Sequence, residues 1–163
     1  MKAKILTLAV LLLLLFSASA LAAPEKPSVS ADESTYSEET GRYHMTGNVV
    51  VTTKDRTTRM DEAEVSATEL EIWGDGNVRL TQEKDDLTCT ADAVYLEGFG
   101  PSATLFGRVV MQRPGLIVRA ESAVCDWQNG LITFRGAVIA IEKGKERIAE
   151  TLVYDISQGE LLT

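Results

Sequence analysis

The sequence predicts an all-β fold, a solenoid-like sandwich built from repeats of about 29 residues. Three observations lead there. Glycine and valine recur together in Gly47-Asn48-Val49, Gly76-Asn77-Val78, Gly107-Arg108-Val109 and Gly136-Ala137-Val138, at spacings of 29, 31 and 29. A small or apolar residue followed by an acid runs in the same phase, as Ala31-Asp32, Met60-Asp61, Ala91-Asp92, Ala120-Glu121 and Ala149-Glu150. Each glycine of the first series lies 16 residues after its partner in the second. Self-similarity of this kind marks stacked repeats, each burying its apolar face against its neighbours. The third observation is alternation. Tyr43, Met45, Gly47, Val49 and Val51, with their counterparts at every second position of 72–80, 103–111 and 132–140, are all apolar or glycine. His44, Thr46, Asn48, Asp75, Arg79, Arg108 and Arg135 fall between them. A period of two with one polar face is a half-buried strand.

In chain order, residues 1–22 read as a secretory signal. Lys2 and Lys4 precede a run over 5–16 that is apolar apart from Thr7, and Ala20-Leu21-Ala22 fits the small-x-small cleavage rule. An uncleaved anchor is the other reading, because 5–23 gives 19 largely apolar residues, near the minimum for a span. Loss of Lys2 and Lys4 on cleavage takes the net charge from −8 to −10. Residues 23–28, with Pro24 and Pro27, form a linker, and 29–163 form the β domain.

Each repeat then holds two strands and two turns. Thr40-Gly41, Gly100-Pro101, Asn129-Gly130 and Gln158-Gly159 mark one turn position; Lys54-Asp55, Lys84-Asp85, Pro114-Gly115 and Lys143-Gly144 mark the other. The two extra residues of the 31-residue unit fall in the loop 82–86, where an insertion costs little. No proline falls within a strand, as ladder hydrogen bonding requires. The other strands are less regular. Leu87, Cys89, Ala91, Ala93, Tyr95 and Leu116, Val118, Ala120, Ser122, Val124 alternate, but Arg56, Thr58, Met60, Glu62 and Glu64 would carry charge inward. A bulge that switches the facing set to Ala63 and Val65 resolves the conflict. The mid-strand glycines predict a bend, with room on the inner surface as a second reading.

These residues carry a family resemblance. Gly-Asn-Val-Val-Val at 47–51, Ala-Glu-Val at 63–65, Ala91-Asp92-Ala93-Val94-Tyr95 and the closing Ala149-Glu150 make residues 29–163 resemble the OstA-like family. That family includes the periplasmic bridge protein of lipopolysaccharide transport. The resemblance implies an elongated β-jellyroll of two facing sheets, with a hydrophobic groove for the acyl chains of lipid A. It also implies head-to-tail contact between like domains: other copies of the chain, and partners at the inner and outer membranes. Inner-face residues expected to line the groove are Val49, Val51, Val78, Leu80, Leu105, Val109, Met111, Val118, Ile132, Phe134 and Val138. The function expected is a periplasmic lipopolysaccharide carrier; a structural scaffold for other envelope proteins, or the anchored periplasmic partner in the same system, is the alternative.

Composition narrows the remaining classes. With 16 basic against 24 acidic residues the chain lacks the basic character of nucleic-acid binders. Phosphate contacts would have to come from local positives such as Arg108, Arg113, Arg119 and Arg135. One histidine, His44, at an outward position, and two cysteines leave little material for a metal site. Ser30, Ser34 and Ser37 have no histidine in a motif context. The expectation is no enzyme, no metal and no cofactor. Cys89 and Cys125 differ by seven residues of repeat phase, roughly 23 Å at about 3.3 Å per residue. A disulfide needs Cα atoms within about 7 Å, so two unpaired thiols on opposite strand faces are expected.

The next glycine of the series would fall at 165, beyond Thr163. Free sheet edges are therefore expected at Leu152, Tyr154 and Leu161 on one side and at Val29 and Ala31 on the other. Such edges invite strand addition, and one at each end of a stack gives a head-to-tail contact that does not close.

Overall fold

The computed structural model describes residues 28–97 and 100–162. The signal segment 1–22 and most of the linker lie outside the described residues. Ser28, placed in the linker by the sequence, already belongs to a strand. Eleven strands follow: β1 (Ser28–Ser30), β2 (Glu33–Ser37), β3 (Arg42–Thr53), β4 (Arg56–Ser66), β5 (Glu71–Gln82), β6 (Leu87–Glu97), β7 (Ser102–Arg113), β8 (Leu116–Asp126), β9 (Leu131–Glu142), β10 (Lys145–Asp155) and β11 (Glu160–Leu162). They form one antiparallel meander in which β3 through β11 pair in chain order, while β1 and β2 both pair with β3. Two-residue turns at 54–55, 114–115 and 143–144 contrast with the four-residue link 83–86, which holds a 3₁₀ turn, Glu83–Asp85. The two extra residues of the long repeat sit there.

This single sheet bends along a line that crosses β3 through β10. On β3 two residues, Gly47 and Asn48, interrupt the pairing where β4 offers only Asp61. The same two-against-one mismatch recurs at Gly76-Asn77 against Asp92 and at Gly107-Arg108 against Glu121. Both residues of each pair lie in the left-handed region, Gly47 at φ 74 and Asn48 at φ 48, for instance. An added Cβ on Gly47 would come within 2.7 Å of the Asp32 carboxylate, and on Gly76 within 2.6 Å of Asp61. Glycine is therefore required twice over, by backbone conformation and by space. The reading of these glycines as inner-surface room is overturned, because the neighbouring acids fill the space.

Asp32 and Asp61 accept hydrogen bonds from the amides of Asn48 and Asn77, each at 2.7 Å, and Asp92 accepts from Arg108. The guanidinium holds the Asp92 carboxyl below the ordinary carboxylate range. The two sequence markers, 16 residues apart, are thus two halves of one corner.

The corner also explains the irregular strands. Two extra residues preserve the in-out parity of β3, β5, β7 and β9, whereas one extra residue reverses it in the strands between. Inward residues in β4 run Thr58, Met60, then Ala63 and Val65, as the bulge argument requires. In β6 they run Cys89, Ala91, then Val94 and Leu96; in β8, Val118, Ala120, then Ala123 and Cys125. Ala93, Tyr95, Ser122 and Val124, expected inward from simple alternation, lie on the less buried outer face.

Candidate functional site

Bending divides the sheet into two layers. Layer A holds the strand ends on one side of the corners, running to the turns 54–55, 83–86, 114–115 and 143–144. Layer B holds the other strand ends, with the turns around 100, 129 and 158. Their inner faces share one core cluster. All eleven residues expected on the inner face are there, each no more than 2% exposed. Val49, Val51, Val78, Leu80, Val109, Met111, Val118 and Val138 come from layer A; Leu105, Ile132 and Phe134 come from layer B. Other apolar groups belong with them: Ile72, Val94 and Tyr154 are equally buried. The parity reversal at the corners hid Val94 from simple alternation.

The inner face is closed rather than grooved. A cavity of about 20 Å³ lies against Val51, Arg56, Leu80, Leu96 and Trp127, scarcely more than one water-sized sphere.

What closes it differs on the two long sides. On one side run the corners, where the chain is continuous. On the other, which we term the lip, the turns of the two layers meet through side chains. Arg56 of layer A donates from Nη2 to the Gly100 carbonyl oxygen at 3.0 Å and stacks over the Trp127 ring at 4.5 Å, both in layer B. Farther along, Arg113 of layer A donates to the Tyr154 hydroxyl of layer B, with its guanidinium 5.6 Å from that ring. Burial lowers the Arg56 pKa, and the buried Arg56 Nε has no hydrogen-bond partner. Outside this contact lies an open depression of about 680 Å³, lined from both layers by Lys54, Lys84, Asp55, Asp85, Pro101 and Ile156 among others. Of the other arginines singled out from the sequence, Arg108 is tied to Asp92, and Arg119 and Arg135 are exposed on the outer face.

Of the expected edge positions on β10, Tyr154 is covered and Leu152 is not. Leu152 and Tyr154 are core residues, 4% and 0% exposed, and β11 covers the backbone of Tyr154. Among the described residues, the free length of β10 is Lys145–Leu152, which carries Ile148 at 70% exposure. Leu161 is half-buried in the short β11. At the opposite end Val29 and Ala31 are half-buried at the edge formed by β1 and β2.

His44 lies on the surface, its Nδ1 3.1 Å from Glu64 Oε1. No cluster of three potential metal ligands occurs among the described residues. No helix among them is long and apolar enough to cross a membrane.

The cysteines depart from their sequence geometry. Both are free and fully buried, and the reversal in β8 turns Cys125 inward, so that both face the core between the layers. The separation reckoned along stacked strands does not hold, because the two sit on facing layers.

No curated protein matches the chain in sequence. Among solved structures it is similar to LptH from Pseudomonas aeruginosa, described as the LptA homologous periplasmic component of the conserved lipopolysaccharide transport device. Identity is 14%, the TM-score is 0.34, and the match covers 85% of this chain and 81% of that one. The family model described as LptA/(LptD N-terminal domain) LPS transport protein matches residues 28–160, nearly the whole of the bent sheet with its corners and lip. The chain is therefore a member of the LptA/LptD N-terminal domain family.

Proposed function

We propose that this protein is a non-enzymatic periplasmic carrier that shields lipopolysaccharide acyl chains between its two layers on their way from the inner to the outer membrane. The observation that carries the reading is an inner face of eleven apolar side chains, closed along one side by side-chain contacts alone, in a chain of a lipopolysaccharide transport family. Acyl chains would part the lip and replace contacts between the layers. Burying them contributes about 0.8 kcal/mol per CH₂. Lys54, Arg56 and Lys84 at the lip are the cations best placed for headgroup phosphates.

A second reading, a scaffold that binds other envelope proteins, draws support from the closed core with its cavity of about 20 Å³. A photo-crosslinking residue at Val109 or Phe134 separates the two. Lipopolysaccharide adducts in cells support the carrier. A silent inner face, with crosslinks arising only from edge positions such as Ile148, supports the scaffold.

Head-to-tail assembly belongs to the same proposal. The free edge of β10 at one end and β1 with β2 at the other are different surfaces, so copies joined through them extend linearly. Ile148→Lys is expected to reduce oligomer mass in light scattering, since charge on an edge opposes strand addition. Equal mass for both proteins at every concentration would reject the edge contact.

A further inference from the structure

The two outer faces of the sandwich look in opposite directions and carry opposite charge. On layer A the outward positions of β3 to β9 hold Arg59, Arg79 and Arg119 and no acid; threonine, valine and isoleucine fill most of the rest. On layer B the outward positions of the same strands hold Glu62, Glu64, Glu71, Asp75, Glu97 and Asp126 against Arg42 and Arg135.

These charges are also set against their own kind. Arg59 pairs directly with Arg79 across β4 and β5, and Glu62 pairs directly with Asp75 across the same two strands. Like charges directly opposite on a sheet are destabilising. All four side chains are exposed, and among the described residues none of them has an ion-pair partner. A chain that bears this cost twice, with opposite sign on opposite faces, is complementary to itself.

Around the acid pair the outer face of layer B is hollowed. An open depression of about 320 Å³ is lined by Glu62, Asp75, Trp73, Tyr95 and Phe106 among others, and by no lysine or arginine. The Trp73 and Tyr95 ring centroids lie 5.2 Å apart, and Phe106 is 47% exposed. The Arg42 guanidinium sits 4.3 Å from the Trp73 ring centroid, so this aromatic surface already holds one arginine. A guanidinium suits such a place because it stacks on rings and pairs with carboxylates at once.

We propose that a second copy of this chain docks here: the basic outer face of layer A, led by Arg59 and Arg79, seats on the acidic, aromatic outer face of its neighbour's layer B. Each like-charge pair then meets the pair of opposite sign. Strands β3 to β10, spaced at about 4.8 Å and with about five residues per layer at about 3.3 Å, present roughly 600 Å². Over both copies that is about 1,200 Å², the lower end of the range for specific interfaces. The two faces differ, so the contact does not close on itself. It joins copies side by side, apart from the strand edges, and does not depend on the carrier reading.

Sedimentation velocity of the exported chain tests it at about 20 mM and about 500 mM salt, where the Debye length is roughly 20 Å and 4 Å. The weight-average mass should be roughly twofold higher at low salt, because the attraction is between exposed charges. Ile148→Lys should keep this salt dependence; its loss there would assign the effect to the strand edge and overturn the face contact. Two double variants, Arg59→Glu with Arg79→Glu and Glu62→Arg with Asp75→Arg, change only exposed positions and leave the chain net negative. Circular dichroism checks their fold, and Arg79→Glu and Asp75→Arg alone replace any pair that does not fold. Each variant by itself should lose the salt-sensitive association. An equal mixture should regain it, since one now presents two acidic faces and the other two basic ones. A mixture no heavier than its components would overturn the proposal. So would a wild-type chain of one mass at both salts that instead binds phosphatidylglycerol vesicles through Arg59 and Arg79, which would give the basic face to anionic lipid.

Discussion

Along one long side of the sandwich the layers are joined by the strands themselves, which turn through Gly47-Asn48, Gly76-Asn77, Gly107-Arg108 and Gly136-Ala137 with an acid seated against each glycine. Along the other they are joined by Arg56 to Gly100 and Trp127, and by Arg113 to Tyr154. The corner side repeats and the lip side does not. Positions equivalent to Arg56 hold Leu87, Leu116 and Lys145, and those equivalent to Arg113 hold Thr53, Gln82 and Glu142. A corner cannot open without breaking a sheet ladder, whereas the lip is held by side-chain contacts and by the core behind them. The comparison places stability in the repeated element and leaves adaptability to the unrepeated one.

The largest expected effect tests the corner. Gly76→Ala puts a side chain at positive φ and against Asp61, disturbing the Asp61–Asn77 hydrogen bond, and should cost about 2–3 kcal/mol in urea denaturation. An unchanged midpoint would show that the corner relaxes freely, and the contrast with the lip would fall.

At the lip, Trp127→Ala removes the ring beneath Arg56 and should cost less, about 1–2 kcal/mol. It should also raise the binding of a fluorescent apolar dye to the folded protein. A loss as large as that of Gly76→Ala, with no gain in dye binding, would mean that both sides are equally structural.

The fourth corner offers a gain. Glu121 sits against Gly136, and the next residue, Ala137 at φ 45, has no side-chain donor to offer it. Copying the second corner with Glu121→Asp and Ala137→Asn together should stabilise the protein by about 1 kcal/mol, since asparagine tolerates this conformation and can donate to the acid. Thermal melts of the double variant check it, and no gain would show that the acid–amide bond contributes little to a corner.

The smallest effect is a pH dependence. Arg108 depresses the Asp92 pKa in the folded state, so the stabilisation is present above the unfolded value of about 3.9 and is lost as pH falls through the folded one. The stability difference between wild type and Asp92→Asn should therefore be seen at neutral pH and shrink in acid. A difference that stays constant with pH would assign it to packing.

The same contrast governs what could be read from residues alone. Four glycines and five acids in one register disclosed the strand count per repeat, the turns, the extra residues at 83–86 and the inner set from Val49 to Val138. Nothing in that register disclosed that β6 reverses at Asp92, so Ala93 and Tyr95 were expected inside where Val94 and Leu96 lie. The charged Glu62 and Glu64 betrayed the reversal in β4, but Ser122 and Val124 in β8 are tolerable on either face and gave no such warning. Strand order gives β11 beside β10 but not the register, which covers Tyr154 and leaves Leu152 beyond its reach.

By itself the sequence determined the all-β repeat, its period-two apolar face and its corner residues, because these depend on local backbone preference and on neighbours one hairpin away. Only the tertiary structure decided which residues meet across the layers. Arg56 finds Gly100, 44 residues on, and Arg113 finds Tyr154, 41 residues on. Such contacts depend on how far one layer is offset over the other when the sheet folds. Backbone pairing within each layer is satisfied at many offsets, so the choice falls to the fit of unrepeated side chains in the core and along the lip.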